Sequence, residues 1–347
     1  MASAADPVVG DGAPPTEALG VKLGRVWERG GVLVPLLVLF ITFAAINSRF
    51  LSVGNLKGIV EQNVIILVLA VGTTFVLLIG SLDLSIEGVS ALAGVVTGLL
   101  VANDLNSNDF GFGAVVLAVL IGLAFGLLNG ALNVYLRLPS FVVTLGTWFV
   151  ALGLSVVLHS HYALGGGRIT DTTIRELAFQ TIDGFSGLTF VAVAVIIVGY
   201  VFQKYTLIGR RLYAVGGNEA VASLSGIDVA RARIAAFAMS GALAGLAGAM
   251  TLARFGGLAS GISTGETLFA VITAVVIGGT ALAGGRGGVL HTVVGVATLG
   301  VLANGMALSG IPPFYQQAVQ GGLILIALAF GAFQWGVRGR DRLRLVK

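Results

Sequence analysis

The chain has 347 residues, of which 56% are hydrophobic and only 10% charged, and its mean hydropathy is +0.98. Because a water-soluble globular chain has about 25% charged residues, this composition excludes a soluble protein and indicates an integral membrane protein. The chain has no cysteine, which excludes disulfides and cysteine metal sites, and its net charge of +4 is concentrated in the termini and one loop, which indicates membrane topology rather than nucleic-acid binding.

The chain begins with a polar segment, residues 1–30, which we expect to be a disordered cytoplasmic tail rather than a signal peptide. A transmembrane domain follows over residues 31–334, and residues 335–347 form a basic cytoplasmic tail. A membrane-spanning helix needs about 20 apolar residues, and the pattern predicts an all-α polytopic protein with about ten helices. The predicted spans are 31–47, 59–80, 84–102, 113–136, 140–158, 188–203, 234–252, 267–283, 288–308 and 315–334.

Positive charges orient these spans. They concentrate in the N-terminal segment, in the 204–233 loop and in the C-terminal tail. Ten spans place these three regions on one side of the membrane, and the positive-inside rule makes that side cytoplasmic. The sequence therefore predicts that both termini and the 204–233 loop are cytoplasmic.

An Asn-Gly pair occurs twice at related places. Asn129-Gly130 lies on the fourth predicted span and is followed by Pro139, and Asn304-Gly305 lies on the ninth and is followed by Pro312. An offset of five helices reverses direction in the membrane. The sequence thus predicts an inverted repeat of helices 2–5 on helices 7–10, with coincidence in a glycine-rich chain as the alternative.

The 204–233 loop contains a short predicted helix over residues 219–225. Asn218 is placed to cap it, Glu219 lies in its first turn near the positive helix end, and Gly226 is placed to end it. Val221 and Leu224 lie on one face of this helix. It is either an ordinary capped connector or a docking helix that receives motion from a cytoplasmic motor.

Four polar residues lie in or near the predicted spans. Asp83 either caps the third span or lines a solute path at a broken helix, and Glu87, one turn later, is placed to share its face. Asn129 and Asn304 are either hydrogen-bonding contacts between helices or path-lining groups.

Buried acids and an inverted repeat also fit an ion-coupled secondary transporter, in which Asp83 and Glu87 would bind the ion.

Other chemistries find little support. The Gly-x4-Gly-Lys-Ser/Thr phosphate loop does not occur, so Gly284–Gly288 is interpreted as a membrane turn. His159, His161 and His291 are scattered and lack a carboxylate cluster, so we predict no metal site. No nucleophile–base pair is visible, which disfavours an intramembrane enzyme and predicts no catalytic residue.

Four motifs resemble one family. Gly-Arg-Arg-Leu-Tyr-Ala-Val-Gly-Gly-Asn-Glu-Ala at 209–220 resembles the cytoplasmic loop of the ribose/xylose/galactoside group of ABC-transporter permeases. In the same order as in that family, residues 80–85 resemble its Gly-Gly-Ile-Asp-Leu-Ser motif, 138–147 its Pro-Phe-Ile-Val-Thr-Leu-Gly stretch, and 278–287 its Gly-Gly-Thr…Gly-Gly-Arg-Gly turn. The resemblance covers residues 31–334. Among the departures, Glu87 stands where the family usually has glycine.

The resemblance implies the permease subunit of an ATP-binding-cassette importer in the bacterial plasma (inner) membrane. Its partners would be a cytoplasmic ATPase that binds ATP and Mg, an extracytoplasmic solute-binding protein, and a second permease copy or a related permease. The chain itself would hold no cofactor, and the cargo would be a monosaccharide, a pentose or hexose. Nucleosides and branched-chain amino acids are the alternatives within the wider superfamily.

The resemblance also divides the candidate residues into two groups. Those of the ATPase-coupling loop are Gly209, Arg210, Arg211, Gly216, Gly217, Asn218, Glu219, Ala222 and Gly226. Those of a possible translocation path are Asp83, Ser85, Glu87, Asn129, Thr144 and Asn304. Replacing Gly217 or Glu219 is expected to uncouple ATP hydrolysis from transport or to weaken ATPase binding.

Overall fold

The computed structural model describes residues 31–104, 107–161, 169–256, 265–312, 314–319, 321–323 and 325. Apart from one two-stranded hairpin, the regular structure of this part of the chain is helical, which confirms the prediction of an all-α polytopic membrane protein. The elements are α1 (Leu33–Ile46), α2 (Val53–Leu78), α3 (Ile86–Leu100), α4 (Phe112–Tyr135), α5 (Ser140–His161), α6 (Thr172–Phe179), β1 (Thr181–Ile182), β2 (Phe185–Ser186), α7 (Gly187–Tyr205), α8 (Leu207–Gly217), α9 (Glu219–Leu224), α10 (Val229–Phe255), α11 (Glu266–Ile277) and α12 (Val289–Leu308). Residues 314–319 and 321–323 are also helical.

Six of these helices, α2, α4, α5, α7, α10 and α12, are long and apolar enough to cross a membrane. Three apolar helices, α1, α3 and α11, are shorter. Nine predicted spans fall on these nine helices. The span 315–334 lies mostly, and the tails 1–30 and 335–347 wholly, outside the described residues, so the ten-helix count and the cytoplasmic termini remain predictions.

The largest differences from the predicted ends, six residues each, are at the start of α2 and the end of α11. α2 begins at Val53 rather than 59, because the Ser52 hydroxyl accepts a hydrogen bond from the Asn55 amide at 3.3 Å and caps a polar first turn. α11 ends at Ile277 rather than 283, so this prediction was wrong. Gly279 has φ of 88°, in the left-handed region that glycine adopts readily and that ends a helix.

The centre of the bundle is α10, which packs along α4 through glycines. A Cβ atom on Gly122 would lie 2.0 Å from the carbonyl oxygen of Gly241, and one on Gly126 would lie 2.2 Å from that of Phe237. Only a hydrogen side chain permits this approach of the two backbones. Close packing of this kind uses small residues in place of the hydrophobic effect, which is weak between helices in lipid.

The helix contacts of the two halves of the bundle are paired. α3 packs on α4 and α11 packs on α12, while α10 contacts both α3 and α4 as α2 contacts both α11 and α12. Exchanging α2 with α10, α3 with α11 and α4 with α12 converts one set of contacts into the other. The contacts thus repeat between the two halves, and the inverted orientation of the repeat stays a prediction.

Candidate functional site

The predicted short helix of the 204–233 loop is confirmed as α9. The Asn218 side chain accepts a hydrogen bond from the Val221 amide at 3.1 Å, and Glu219 lies in the first turn. Gly226, with φ of 78°, follows the helix. The cap, the acid and the glycine thus fix α9 in the way that their order in the sequence predicts.

Two apolar side chains of α9 point away from the protein. Val221 is 57% exposed and Leu224 is 89% exposed, whereas Ala222 between them is buried. α9 therefore packs on the helix bundle through its small residue and presents its larger apolar residues outward. The pair gives this connector a small exposed apolar surface.

The preceding helix α8, which the sequence analysis did not predict, lies on the end of α2. A Cβ atom on Gly216 would be 1.8 Å from the carbonyl oxygen of Leu78, and the amide of Gly285 donates to that same oxygen at 2.9 Å. A Cβ atom on Gly284 would be 2.7 Å from the amide nitrogen of Gly80. These glycines let α8, the end of α2 and the turn before α12 meet at backbone distance.

Tyr213 attaches α8 to the start of α12. Its hydroxyl donates to the carbonyl oxygen of Gly287 at 2.6 Å and accepts a hydrogen bond from the Gln203 amide group. The Gln203 side-chain oxygen accepts from the Val289 amide at 2.7 Å. Burial raises the pKa of Tyr213, and the Gln203 contact offsets part of this effect, so the hydroxyl keeps its proton and remains a donor.

On α10, Arg233 joins α9 to the α2–α3 connection. Its Nη2 lies 2.6 Å from the Glu219 carboxylate, and its Nη1 donates to Ser81 Oγ and to Asn133 Oδ1, each at 3.3 Å. The Arg233 side chain is 22% exposed and that of Glu219 is 53% exposed. We call this set the Arg233 cluster; its members are Arg233, Glu219, Ser81 and Asn133.

A cleft of about 500 Å³ opens beside α9. The Arg233 cluster supplies three of its lining residues, and the loop between α4 and α5 supplies Arg137 and Pro139. The cleft therefore lies where the α9 segment meets the cytoplasmic ends of α4, α5 and α10 in the predicted topology.

Deeper in the bundle, Asp83 is the centre of a second polar cluster. It is 1% exposed. One carboxylate oxygen accepts from the Ser85 amide at 2.9 Å and from Ser85 Oγ at 2.6 Å, and the other accepts from Ser240 Oγ of α10 at 2.7 Å. Asp83 thus combines a local turn bond to its own backbone with a contact to another helix.

Asn129 extends this cluster into α4 and α5. Its amide group donates to Ser85 Oγ at 2.8 Å, and its oxygen accepts from Thr147 Oγ1 at 2.8 Å. Thr144 supports the same region by accepting from the Leu84 amide at 3.0 Å. We call this set the Asp83 cluster; its members are Asp83, Ser85, Asn129, Thr147 and Ser240.

Glu87 does not join Asp83, although the two were expected to share a face. It is 8% exposed, and its carboxylate accepts from the amides of Gly265 and Leu268 at 3.3 and 3.1 Å. Asp83 faces α10, whereas Glu87 faces the start of α11. The two acids therefore do not form a shared ion site in this conformation.

The remaining predicted residues fall in several places. Asn304 exchanges hydrogen bonds with Asn55 at 3.0 and 2.9 Å, apart from the Asn129 contacts. Gly209 is buried against the carbonyl oxygens of Phe202 and Gln203, whereas Arg210 and Arg211 are exposed. The structure thus brings the coupling-loop residues together on α8 and α9 and distributes the path residues over three sites.

Three residues with central roles in this geometry were absent from the predicted site. Arg233 and Gln203 lie in helices whose sequence shows no motif, and each has a partner far away along the chain, Ser81 and Val289 respectively. Tyr213 lies inside the quoted 209–220 motif, which is the signal that could have found it. Among the described residues, His, Cys, Asp and Glu side chains form no group of three that could hold a metal.

The chain matches the model of one protein family over residues 55–328. That family is described as branched-chain amino acid transport system / permease component. The match covers α2 to α12 and therefore all residues of both polar clusters. No solved structure matches the chain.

Three curated proteins of Escherichia coli K12 are similar over most of the chain. The ribose import permease protein RbsC is 33% identical over 303 residues, which is 85% of this chain and 91% of that protein. The L-arabinose transport system permease protein AraH is 32% identical over 325 residues, 94% and 96% of the two chains. The D-allose transport system permease protein AlsC is 31% identical over 304 residues, 87% and 91%.

Proposed function

The chain belongs to the branched-chain amino acid transport system / permease component family, and we propose that it is the membrane-spanning permease subunit of an ABC importer for a monosaccharide. The observation that carries the cargo class is that three relatives aligned along most of the chain are permeases for ribose, L-arabinose and D-allose. The resemblance inferred from the four motifs is confirmed by the same relatives.

A second cargo class comes from the family description itself, which names branched-chain amino acids. The sugar proposal is favoured because it rests on alignments of single proteins along 85% or more of the chain. An ion-coupled secondary transporter is disfavoured by the same relatives and by the separation of Asp83 from Glu87. Selectivity among sugars is assigned to the binding protein, since a translocation path must release its cargo.

The energy source is proposed to be a separate cytoplasmic ATPase, which binds ATP and Mg while this chain holds no cofactor. α9 is the docking helix in this proposal, because its exposed Val221 and Leu224 fit an apolar groove on the partner. Docking would bring Glu219 to the edge of the contact. In the proposed topology of ten helices with cytoplasmic termini, α9 lies on the side where ATP is available.

Motion of α9 has two routes into the membrane. The first passes from Glu219 through Arg233 to Ser81, at the start of the α2–α3 connection. The second passes from α8 through Gly216 and Tyr213 to the turn before α12. The proposed mechanism uses both routes to open the path alternately on the two sides of the membrane.

The complete importer is proposed to contain two permease copies, an ATPase with two nucleotide sites and an extracytoplasmic binding protein in a bacterial plasma (inner) membrane. The outward faces of α5 and α7 carry exposed apolar side chains such as Phe149, Val157 and Ile197. These faces fit lipid or the second copy. The family is described as a permease component and the relatives are named permease proteins, which supports the proposal that this chain supplies the pathway and an ATPase partner supplies hydrolysis.

Reconstitution tests the importer proposal. The chain is placed in proteoliposomes with its co-purified ATPase and co-encoded binding protein, and uptake of labelled ribose, arabinose, allose and leucine is measured with and without ATP. Uptake of a sugar only with ATP and binding protein is expected. Uptake by the chain alone, driven by an ion gradient, would overturn the proposal, and ATP-dependent uptake of leucine alone would replace the sugar.

The docking role of α9 has its own test. The double variant Val221→Ser/Leu224→Ser is expected to lower ATPase affinity more than about tenfold, because burying two such side chains contributes about 1.5–3 kcal/mol each. Affinity is measured by titrating the ATPase onto the chain in nanodiscs. Leu207→Ser is the matched control, since Leu207 is an exposed apolar residue of α8. An equal loss in the control would remove α9 from the docking role.

A further inference from the structure

The Glu87 side chain caps the start of a helix to which it does not belong. Its carboxylate accepts from the amide of Gly265, the residue before α11, and from that of Leu268 in the first turn of α11. Gly265 has no side chain and makes no cap of its own. These two amides are the ones that a capping box satisfies from within a helix, and here one carboxylate of α3 takes both.

Both helices joined by Glu87 are short. α3 has 15 residues and α11 has 12, which correspond to about 22 and 18 Å at 1.5 Å per residue. The apolar core of a bilayer is about 30 Å thick, so each helix crosses only part of it. α3 and α11 also occupy corresponding positions in the two halves of the repeat. Short hydrophobic segments at corresponding positions of the two halves are typical of the substrate path of a transporter.

Trp148 of α5 fills the space around this contact. A Cβ atom on Gly88, next to Glu87, would lie 2.5 Å from Cδ1 of Trp148. A Cβ atom on Gly265 would lie 4.0 Å from the far edge of the same ring. The indole therefore lies beside both ends of the Glu87 bond and helps to keep water from the carboxylate, which strengthens its hydrogen bonds.

The Glu87 bond closes a ring of contacts that begins and ends at the α8–α9 segment. From α9, Glu219 and Arg233 reach Ser81, which leads into α3 and Glu87. From Glu87, α11 leads into the 278–288 turn, which returns to α8 through Gly216 and Tyr213. The two routes touch at Gly80 and Gly284, close to the α8–α9 segment, and the Glu87 carboxylate joins them a second time, at the starts of α3 and α11.

We propose that Glu87 is a positioning residue for transport, whose carboxylate fixes the start of α11 to the start of α3 so that the two short helices move as one unit. This inference rests on the proposed importer function. With the bond intact, a displacement of α8 and α9 reaches the path through both routes together. Without it, α3 and α11 respond separately, and ATP is hydrolysed without a concerted opening.

Glu61 provides a matched control. It lies on α2, and its carboxylate accepts from the Ser186 amide at 2.8 Å and from the hydroxyls of Ser186 and Thr189. Glu61 therefore also caps a helix to which it does not belong, α7, but through one backbone amide and two hydroxyls. α7 has 19 residues and is long enough to cross the membrane. Its capped end is opposite the end that leads to α8. Glu61→Gln therefore makes the same chemical change at a cap outside the ring.

The test compares Glu87→Gln with Glu61→Gln in the reconstituted complex. The amide of glutamine keeps one acceptor oxygen and loses the second, so a buried backbone donor loses its partner. Glu87→Gln is expected to lower the sugar transported per ATP hydrolysed about tenfold while ATP hydrolysis continues. Glu61→Gln is expected to leave this ratio near the wild-type value. Equal losses in both variants, or no loss in either, would overturn the proposal.

A second measurement needs no transport. Because the chain has no cysteine, nitroxide pairs are introduced by Ala91→Cys on α3 and Phe269→Cys on α11 of the chain in nanodiscs. Glu87→Gln is expected to broaden the distance distribution between the labels, and Glu61→Gln to leave it unchanged. An unbroadened distribution would overturn the positioning role. Broadening together with a wild-type complex that moves no sugar would uphold the link and reject the importer function.

Folding is checked on the same samples by thermal unfolding. Glutamine has almost the volume of glutamate, so Glu87→Gln is expected to insert and fold. If Glu87→Gln does not fold, Glu87→Asp is tested in its place, because aspartate keeps the charge and its side chain is one methylene shorter. A normal ratio and a narrow distribution in Glu87→Asp would then count against the proposal.

Discussion

The Arg233 cluster and the Asp83 cluster connect the same parts of the molecule in different ways. Both tie the α2–α3 connection to α4 and α10. The Arg233 cluster depends on an ion pair with side chains 22% and 53% exposed. The Asp83 cluster depends on a carboxylate whose three donors are all buried with it.

The difference predicts which contact changes during transport. An exposed ion pair contributes about 0–1 kcal/mol, so movement of α9 can break and remake it easily. Removing the acceptor from buried donors costs about 1–3 kcal/mol, and more for a charged group. We therefore expect the Asp83 cluster to act as a rigid joint, which keeps the start of α3 on α10 during transport. We expect the ion pair of the Arg233 cluster to break and form again.

The largest expected effect comes from breaking the rigid joint. Asp83→Ala leaves the Ser85 amide and the hydroxyls of Ser85 and Ser240 without their acceptor. We expect a loss of about 3 kcal/mol in the free energy of unfolding. Thermal unfolding of the purified chain in mild detergent measures it.

The control for Asp83→Ala is Asp228→Ala. Asp228 caps α10 by accepting from the Arg231 amide at 2.9 Å, and its side chain is 42% exposed. Loss of such a cap costs about 1 kcal/mol. If the two variants lower the unfolding temperature equally, the buried cluster is no stronger than an exposed cap and the comparison fails.

A smaller effect is expected where α8 lies on α2. Gly216→Ala places a Cβ atom 1.8 Å from the Leu78 carbonyl oxygen, so α8 must move away from the end of α2. We expect a loss of about 2 kcal/mol, as for an overpacked core, with reduced ATP-driven uptake. Gly217→Ala is the stability control, since a Cβ there meets nothing within 4 Å. Equal stability of both variants would show that α8 is loosely held.

Much of the fold could be predicted from the sequence, because short stretches of neighbouring residues determine where each helix forms. Nine helices followed from apolar runs of suitable length, and α9 followed from Asn218, Glu219 and Gly226 in their order. The early end of α11 was missed because Ala281 and Leu282 continue the apolar pattern, although Gly279 had already ended the helix.

The contacts of the site could not be predicted in this way, because they join residues that are far apart in the sequence. Arg233 reaches Ser81 across 152 residues, and Glu87 reaches Leu268 across 181. Helical spacing placed Asp83 and Glu87 on one face, but Asp83 lies in the irregular segment before α3, so the spacing rule does not apply to it. No pattern within one helix encodes which neighbour supplies a hydrogen-bond partner.

The smallest change in stability, and the sharpest test of the comparison, comes from exchanging the charges of the exposed ion pair. Glu219→Arg and Arg233→Glu each place like charges where the structure has a 2.6 Å ion pair. Each is expected to change the free energy of unfolding by less than about 1 kcal/mol and yet to lower the sugar moved per ATP hydrolysed. The double exchange restores opposite charges, so we expect it to recover that ratio. The recovery is expected to be partial, because Ser81 and Asn133 lose the guanidinium donor.

A double-mutant cycle on the transport ratio measures the coupling between the two residues. Additive losses in the cycle would mean that the pair carries no motion, and a stability loss as large as that of Asp83→Ala would make both clusters rigid joints.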